Sequence, residues 1–258
     1  MKTQVEESLR GQDRMNILRA SLTLIGRMGM AGSETRGAGT RAQIYDCFIQ
    51  MVEDSSLAQT HIVDLIKSLG INRNTFYYYF SGKYDLAMRI FRIDLAQALR
   101  TSVKESRLIS APISEHENCP EELPYWTHIE TGAHELDMSS FLIALGNCVK
   151  SKPRFYRMLF DVREREFCET LESLWADALT RDLQFILGGR YMPEETKRML
   201  VALQAQLINN IARYAAFHEN DIDALCDDRI NPFGNIIQES ISMAIQNHPI
   251  SRMRAPRR

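Results

Sequence analysis

Between Thr60 and Leu86 the chain reads T-H-I-V-D-L-I-K-S-L-G-I-N-R-N-T-F-Y-Y-Y-F-S-G-K-Y-D-L, and no other stretch limits the fold as much. Ile62, Leu65, Ile66 and Leu69 recur at steps of three, one and three, which places them on one face of a short helix from about His61 to Leu69. Gly70 stands where a helix ends at positive φ, a conformation that glycine adopts without a Cβ clash. Asn72 is a good cap for a second helix from Arg73 to about Phe80, and Ile71 can plug the gap between the two. Two short helices joined by a glycine-containing turn form a helix-turn-helix, whose second helix is shaped for a DNA major groove.

The second helix carries unusual chemistry. Phe76 and Phe80 lie one turn apart and face inward, leaving Arg73, Asn74, Thr75, Tyr77, Tyr78 and Tyr79 for the other faces. Each tyrosine presents a flat apolar ring and a hydroxyl. The hydroxyls suit phosphate oxygens, and the rings suit sugars and thymine methyls. Arg73 opens the helix, where its planar fork matches guanine O6 and N7. Lys83 opens the next helix and brings a point charge to the DNA backbone.

Leu69 to Leu86 resembles the DNA-binding domain of the TetR family of transcriptional regulators. That family's form is glycine, an aliphatic residue, two or three polar residues, threonine, an apolar residue and tyrosine. Any residue, His or Tyr, and Phe follow, then a short break, Lys, any residue, an acidic residue and Leu. Every fixed position is met here. The resemblance implies phosphate contacts from Thr75, Tyr77, Tyr79 and Lys83, and base or near-base contacts from Arg73, Asn74 and Tyr78. Where the family opens the first of the two helices with Thr or Ser, this chain has His61, with Thr60 one residue earlier, so either can meet phosphate there. The resemblance further implies a homodimer on double-stranded DNA with an inverted-repeat operator. It implies a repressor, released when a small-molecule effector of unknown class binds the helical body, with no cofactor and no catalytic residues.

Charge matters only by region. Formal net charge is −2 over 258 residues, which taken alone is unpromising for a nucleic-acid binder. Residues 93–248, however, hold fifteen basic and twenty-four acidic side chains, net −9, while residues 1–40 are net +2, residues 41–92 net +1, and the last ten residues carry four arginines. An acidic body on a neutral-to-basic head is compatible with DNA, because local charge governs phosphate contact. The five cysteines (Cys47, Cys119, Cys148, Cys168 and Cys226) are widely spaced and read as free thiols of a cytoplasmic protein. No apolar run reaches the length of a membrane span. His116, His128, Glu130 and His134 follow no metal-site spacing, and no catalytic motif is recognisable, so the chain reads as neither metalloprotein nor enzyme.

The expected fold is all-α: a three-helix DNA-binding domain, then a larger helical regulatory and dimerisation domain. Residues 1–39 read as a flexible extension, its glycines Gly29, Gly32, Gly37 and Gly39 forming a linker. Either it is idle, or it is a basic arm for DNA, or the biological start is Met28 or Met30. Residues 40–86 form the DNA-binding domain, with Thr40 and Gln43 as the capping box of a helix to Glu53. Residues 87–248 form the body and residues 249–258 a basic tail. A connecting helix runs from Lys83 to about Ser106, with Leu86, Ile90, Ile93, Ala96 or Gln97, and Val103 on its buried side. Residues 109–135 read as a long acidic loop and no strand is expected anywhere. Further helices are expected over Leu136–Lys150, from Pro153, over Val162–Leu187, over Glu194–Glu219 and from Asn231.

Two surfaces of the body are candidates. Trp126, Phe141, Phe155, Phe167, Trp175 and Phe185 line an effector pocket or are core. Leu203, Leu207, Ile211 and Tyr214, with Ile237, Ile241 and Ile245 on the last helix, form stripes that are core or meet a second copy as a four-helix bundle. Two rival classes remain: a helical enzyme with an accidental motif, and a protein-interaction module that uses the tyrosine helix. Phosphate contacts fall steeply with salt, and an apolar protein interface does not.

Overall fold

The computed structural model describes residues 34–112 and 122–218, together with Glu239 and Met243. The expected last helix, the basic tail, Cys119, Cys226 and His116 lie outside the described residues, as do Ile237, Ile241 and Ile245. The chain divides after Gln43. Of the first unit, residues 34–43 are described, and they form the helical start of α1.

The second unit is mostly helical. α1 (Glu34–Asp54) begins six residues before Thr40, so Gly37 and Gly39 sit in a helix rather than a linker and Thr40 is not its cap. From residue 44 on, α1 buries Ile44, Phe48 and Val52 completely. A short turn, plugged by buried Leu57, leads to α2 (Ile62–Leu69), then α3 (Arg73–Tyr79) and the connecting helix α4 (Lys83–Ser102). The core face of α4 is Leu86, Ile90, Phe91, Leu95, Ala96 and Leu99. Ile93 and Val103 are only half buried, and Gln97 is exposed.

The expected acidic loop instead contains two antiparallel hairpins, and this corrects the reading that no strand occurs. β1 (Leu108–Pro112) pairs with β2 (Glu122–Thr127), and β3 (Ile129–Gly132) pairs with β4 (Glu135–Asp137). Ile109 faces Trp126 and Ser110 faces Pro124, so Tyr125 is the extra residue of a bulge. Pro124, which has no N–H for the ladder, sits at that irregularity. β2 buries Leu123, Tyr125, Trp126 and Thr127, and it lies against α4.

Just before α5 (Ser139–Ser151), Asp137 Oδ1 accepts from the Ser139 amide at 2.8 Å and from its hydroxyl at 2.6 Å. α6 (Pro153–Leu159) has proline in its first turn, where the missing N–H costs nothing. α7 (Arg165–Leu187) ends at Gly188 with φ 54°, where a Cβ would lie 2.3 Å from the His134 ring. α8 (Glu194–Phe217) runs back along α7. Asn209 ties the two together: its Oδ1 accepts from Trp175 Nε1 at 2.9 Å and its Nδ2 donates to the Cys168 carbonyl at 2.9 Å.

Candidate nucleic-acid interface

The turn between α2 and α3 is built from its own backbone. Gly70 has φ 62°, its N–H donates to the Lys67 carbonyl at 3.2 Å, and the Ile71 N–H donates to the Ile66 carbonyl at 3.2 Å. This pair of bonds is a Schellman closure, and Ile71 is the apolar residue that packs beneath it. Asn72 Oδ1 then accepts from the Asn74 N–H at 2.8 Å and caps α3. The two helices are thereby fixed to each other within a few residues of chain.

α3 is seated by Phe76 and Phe80, both buried, with ring centroids 5.5 Å apart. The opposite side faces solvent. Arg73, Asn74, Tyr77 and Tyr78 are exposed, Thr75 and Tyr79 are half buried, and the Arg73 guanidinium lies 5.3 Å from the centre of the Tyr77 ring. That stacking orients the guanidinium at little entropic cost. Tyr79 packs edge-on against Tyr78 at 5.0 Å, and its carbonyl accepts from Arg89 Nη1 at 3.4 Å.

Two expected contact residues, Thr60 and Lys83, stand differently from the sequence reading. Thr60 is 2% exposed and its hydroxyl donates to the Ser56 carbonyl at 2.8 Å, so it is turned inward. His61 holds the cap position of α2 without a side-chain cap bond, and it is exposed. Lys83 is committed within the fold: Nζ donates to the carbonyls of Leu57 at 2.8 Å, Ala58 at 2.9 Å and Thr60 at 3.5 Å. It therefore braces the turn before α2. Val63, 58% exposed on α2, was not singled out from sequence; only exposure distinguishes it from the buried face of the same helix.

In the body, Trp126, Phe141, Phe155, Phe167 and Trp175 are all fully buried, and Phe185 is half buried. Trp126 touches Phe141 at 4.2 Å and Trp175 at 6.0 Å, while Phe91 of α4 meets both Trp175 and Phe167. These buried rings pack against one another, as core side chains do. Two clefts lie on neighbouring helices. One of about 510 Å³ runs between α7 and α8, past Glu169, Glu172, Lys197 and Arg198. One of about 410 Å³ runs between α4 and α5, past Asp94, Gln97, Thr101, Asn147 and Lys152. Beside it Asp94 accepts from Lys152 Nζ at 2.6 Å and from the Tyr156 hydroxyl at 2.5 Å, and burial pushes the phenol well above its usual range.

Of the stripe expected at a dimer seam, Leu203 is 57% and Tyr214 38% exposed, while Leu207 and Ile211 are half buried. Met199 at 64% and Phe217 at 41% extend it along α8. Among the described residues Cys47, Cys148 and Cys168 are free, and no group of His, Cys, Asp and Glu is gathered for a metal ion. No described helix is long and apolar enough to cross a membrane.

The chain matches no family model, and no curated protein matches it. Among solved structures it is similar to the dihydroxyacetone kinase operon activator DhaS, with a TM-score of 0.41 and 16% identity, over 79% of this chain and 97% of that chain. A likeness this remote carries no function across.

Proposed function

We propose that this protein is a sequence-specific DNA-binding transcriptional regulator of the TetR type, a repressor that binds an inverted-repeat operator as a homodimer. The observation that carries the reading is the α2–Gly70–α3 unit, with Arg73, Asn74, Tyr77 and Tyr78 exposed on one side and Phe76 and Phe80 buried on the other. Arg73 and Asn74 read base edges, Tyr78 lies at or near them, and His61, Thr75, Tyr77 and Tyr79 meet the backbone. The exposed apolar stripe on α8 supports a second copy, because a patch of that kind on a monomer marks an interaction surface. One reading helix spans too few base pairs for selectivity, and two half-sites about one turn apart supply enough. The regulatory ligand is a small molecule that favours one setting of α4 over another, and the α4–α5 cleft lies on that helix.

The test is selection of duplexes from a random pool at physiological salt, with the purified chain. The expected product is an enriched inverted repeat whose binding weakens steeply with added salt. No enrichment, together with salt-tolerant capture of protein, would instead establish the tyrosine helix as a protein-binding surface.

A further inference from the structure

Glu164 stands just before α7, in the body, and is 2% exposed. Its Oε1 accepts from the Ala58 N–H at 2.6 Å, across 106 residues of chain. Oε2 is buried with no hydrogen-bond partner. A desolvated carboxylate with one oxygen unsatisfied costs stability, so what this arrangement returns is position.

The position it sets is that of the reading helix. Ala58 lies in the turn before α2, and the carbonyls of Leu57 and Ala58 accept from Lys83 at the start of α4. The turn is thus gripped from both sides, by an anion from the body and a cation from the connecting helix. It runs directly into α2, which the Gly70 closure fixes to α3. Tyr84, one residue along α4 from Lys83, has its phenol pushed up by burial first and by the Glu164 charge second.

We infer that Glu164 is a positioning residue for DNA reading: its bond to the Ala58 amide latches the head to the body and sets the spacing of the two reading helices in a dimer. The latch is a tether additional to α4 and to the Phe48–Phe155 ring contact between head and body. A shift of the α7 start therefore acts on the turn before α2 directly. The inference rests on the reading of α3 as the DNA-contacting helix.

Two measurements test it. Amide hydrogen exchange on the intact protein should show the Ala58 N–H protected. In Glu164→Ala that protection should be lost while α3 stays protected, and Glu164→Gln, which keeps an acceptor oxygen, should restore it. An unprotected Ala58 amide in the wild-type protein overturns the latch even if the alanine variant does not fold. The second measurement uses the selected operator and a duplex carrying one half-site. Glu164→Ala should weaken binding to the paired sites about tenfold while the single half-site changes less than about twofold, since only spacing is disturbed. Equal loss on both duplexes, or none on either, overturns the positioning role. Failure of any duplex to be selected refutes the DNA reading and the positioning role with it, while the exchange result alone decides whether the latch exists.

Discussion

Aromatic side chains concentrate in two places in this chain, and water treats them differently. On α3, Tyr77 and Tyr78 are 46% and 55% exposed, with Phe76 behind them as the anchor. In the body, Trp126, Phe141 and Trp175 are wholly buried, and each indole N–H has an internal acceptor: Asp182 at 2.9 Å for Trp126 and Asn209 at 2.9 Å for Trp175. An aromatic whose polar atom is matched inside the fold is committed to stability. One whose ring and hydroxyl are left at the surface is available to a partner. Both clusters are aromatic with polar atoms to satisfy, and the difference lies in what the backbone places opposite each ring.

The sharpest way to break that contrast is truncation on both sides. Trp175→Ala should cost about 3–5 kcal/mol, because it empties a cavity among Phe91, Trp126 and Phe141 and strands Asn209. Urea unfolding followed by circular dichroism measures it. Tyr78→Ala should lie within about 0.5 kcal/mol of wild type in the same titration and lose DNA affinity instead. If both variants unfold at similarly low urea, the tyrosine cluster is part of the core after all.

Arg73→Ala probes chemistry on the exposed side alone. It should lower discrimination between the selected operator and random DNA by about 1–3 kcal/mol, with no change in the unfolding midpoint. Equal weakening on both DNAs would reduce Arg73 to a phosphate contact. Gly70→Ala touches the hinge between α2 and α3. A Cβ there meets nothing within 4 Å, but φ of 62° is unfavourable for alanine. A loss of about 1 kcal/mol is expected, read as a lower melting temperature. A stability unchanged from wild type would mean that the turn relaxes out of the left-handed region.

How much of this was legible in sequence depends on the range of the interactions. The helix-turn-helix was readable because its determinants are local: the spacing of Ile62, Leu65 and Leu69, the Gly70 closure, the Asn72 cap and the Phe76–Phe80 pair all act within a few residues. The hairpins were not. β2 is buried along nearly its whole length, so it shows no alternation, and Pro124 within it argues against a strand unless the bulge is known. Thr60 was misplaced because its hydroxyl turns back to the Ser56 carbonyl, one of several acceptors such a side chain can choose. Glu164 was invisible because its partner lies 106 residues away and is a backbone amide, which leaves no mark on sequence.

The smallest expected effect sits beneath the buried cluster. Asp182, 4% exposed, accepts from Trp126 through Oδ2, while its Oδ1 lies 2.9 Å from His128 Nδ1. The close Asp182 carboxylate is the main cause that raises His128 above the usual 6.5, against the opposing effect of burial. The folded state therefore prefers the charged imidazole more than the unfolded chain does. That preference is fully present below pH 6.5 and is lost as pH rises through the higher folded value, where the histidine is neutral in both states. Unfolding free energy should accordingly fall between slightly acidic and slightly alkaline pH, by a few tenths to about 1 kcal/mol for a partly exposed pair. Tryptophan fluorescence should change over the same range, since Trp126 shares the carboxylate. His128→Gln should flatten both profiles. If the wild-type and variant curves run parallel instead, the pair adds no pH dependence, and Asp182 serves the buried indole alone.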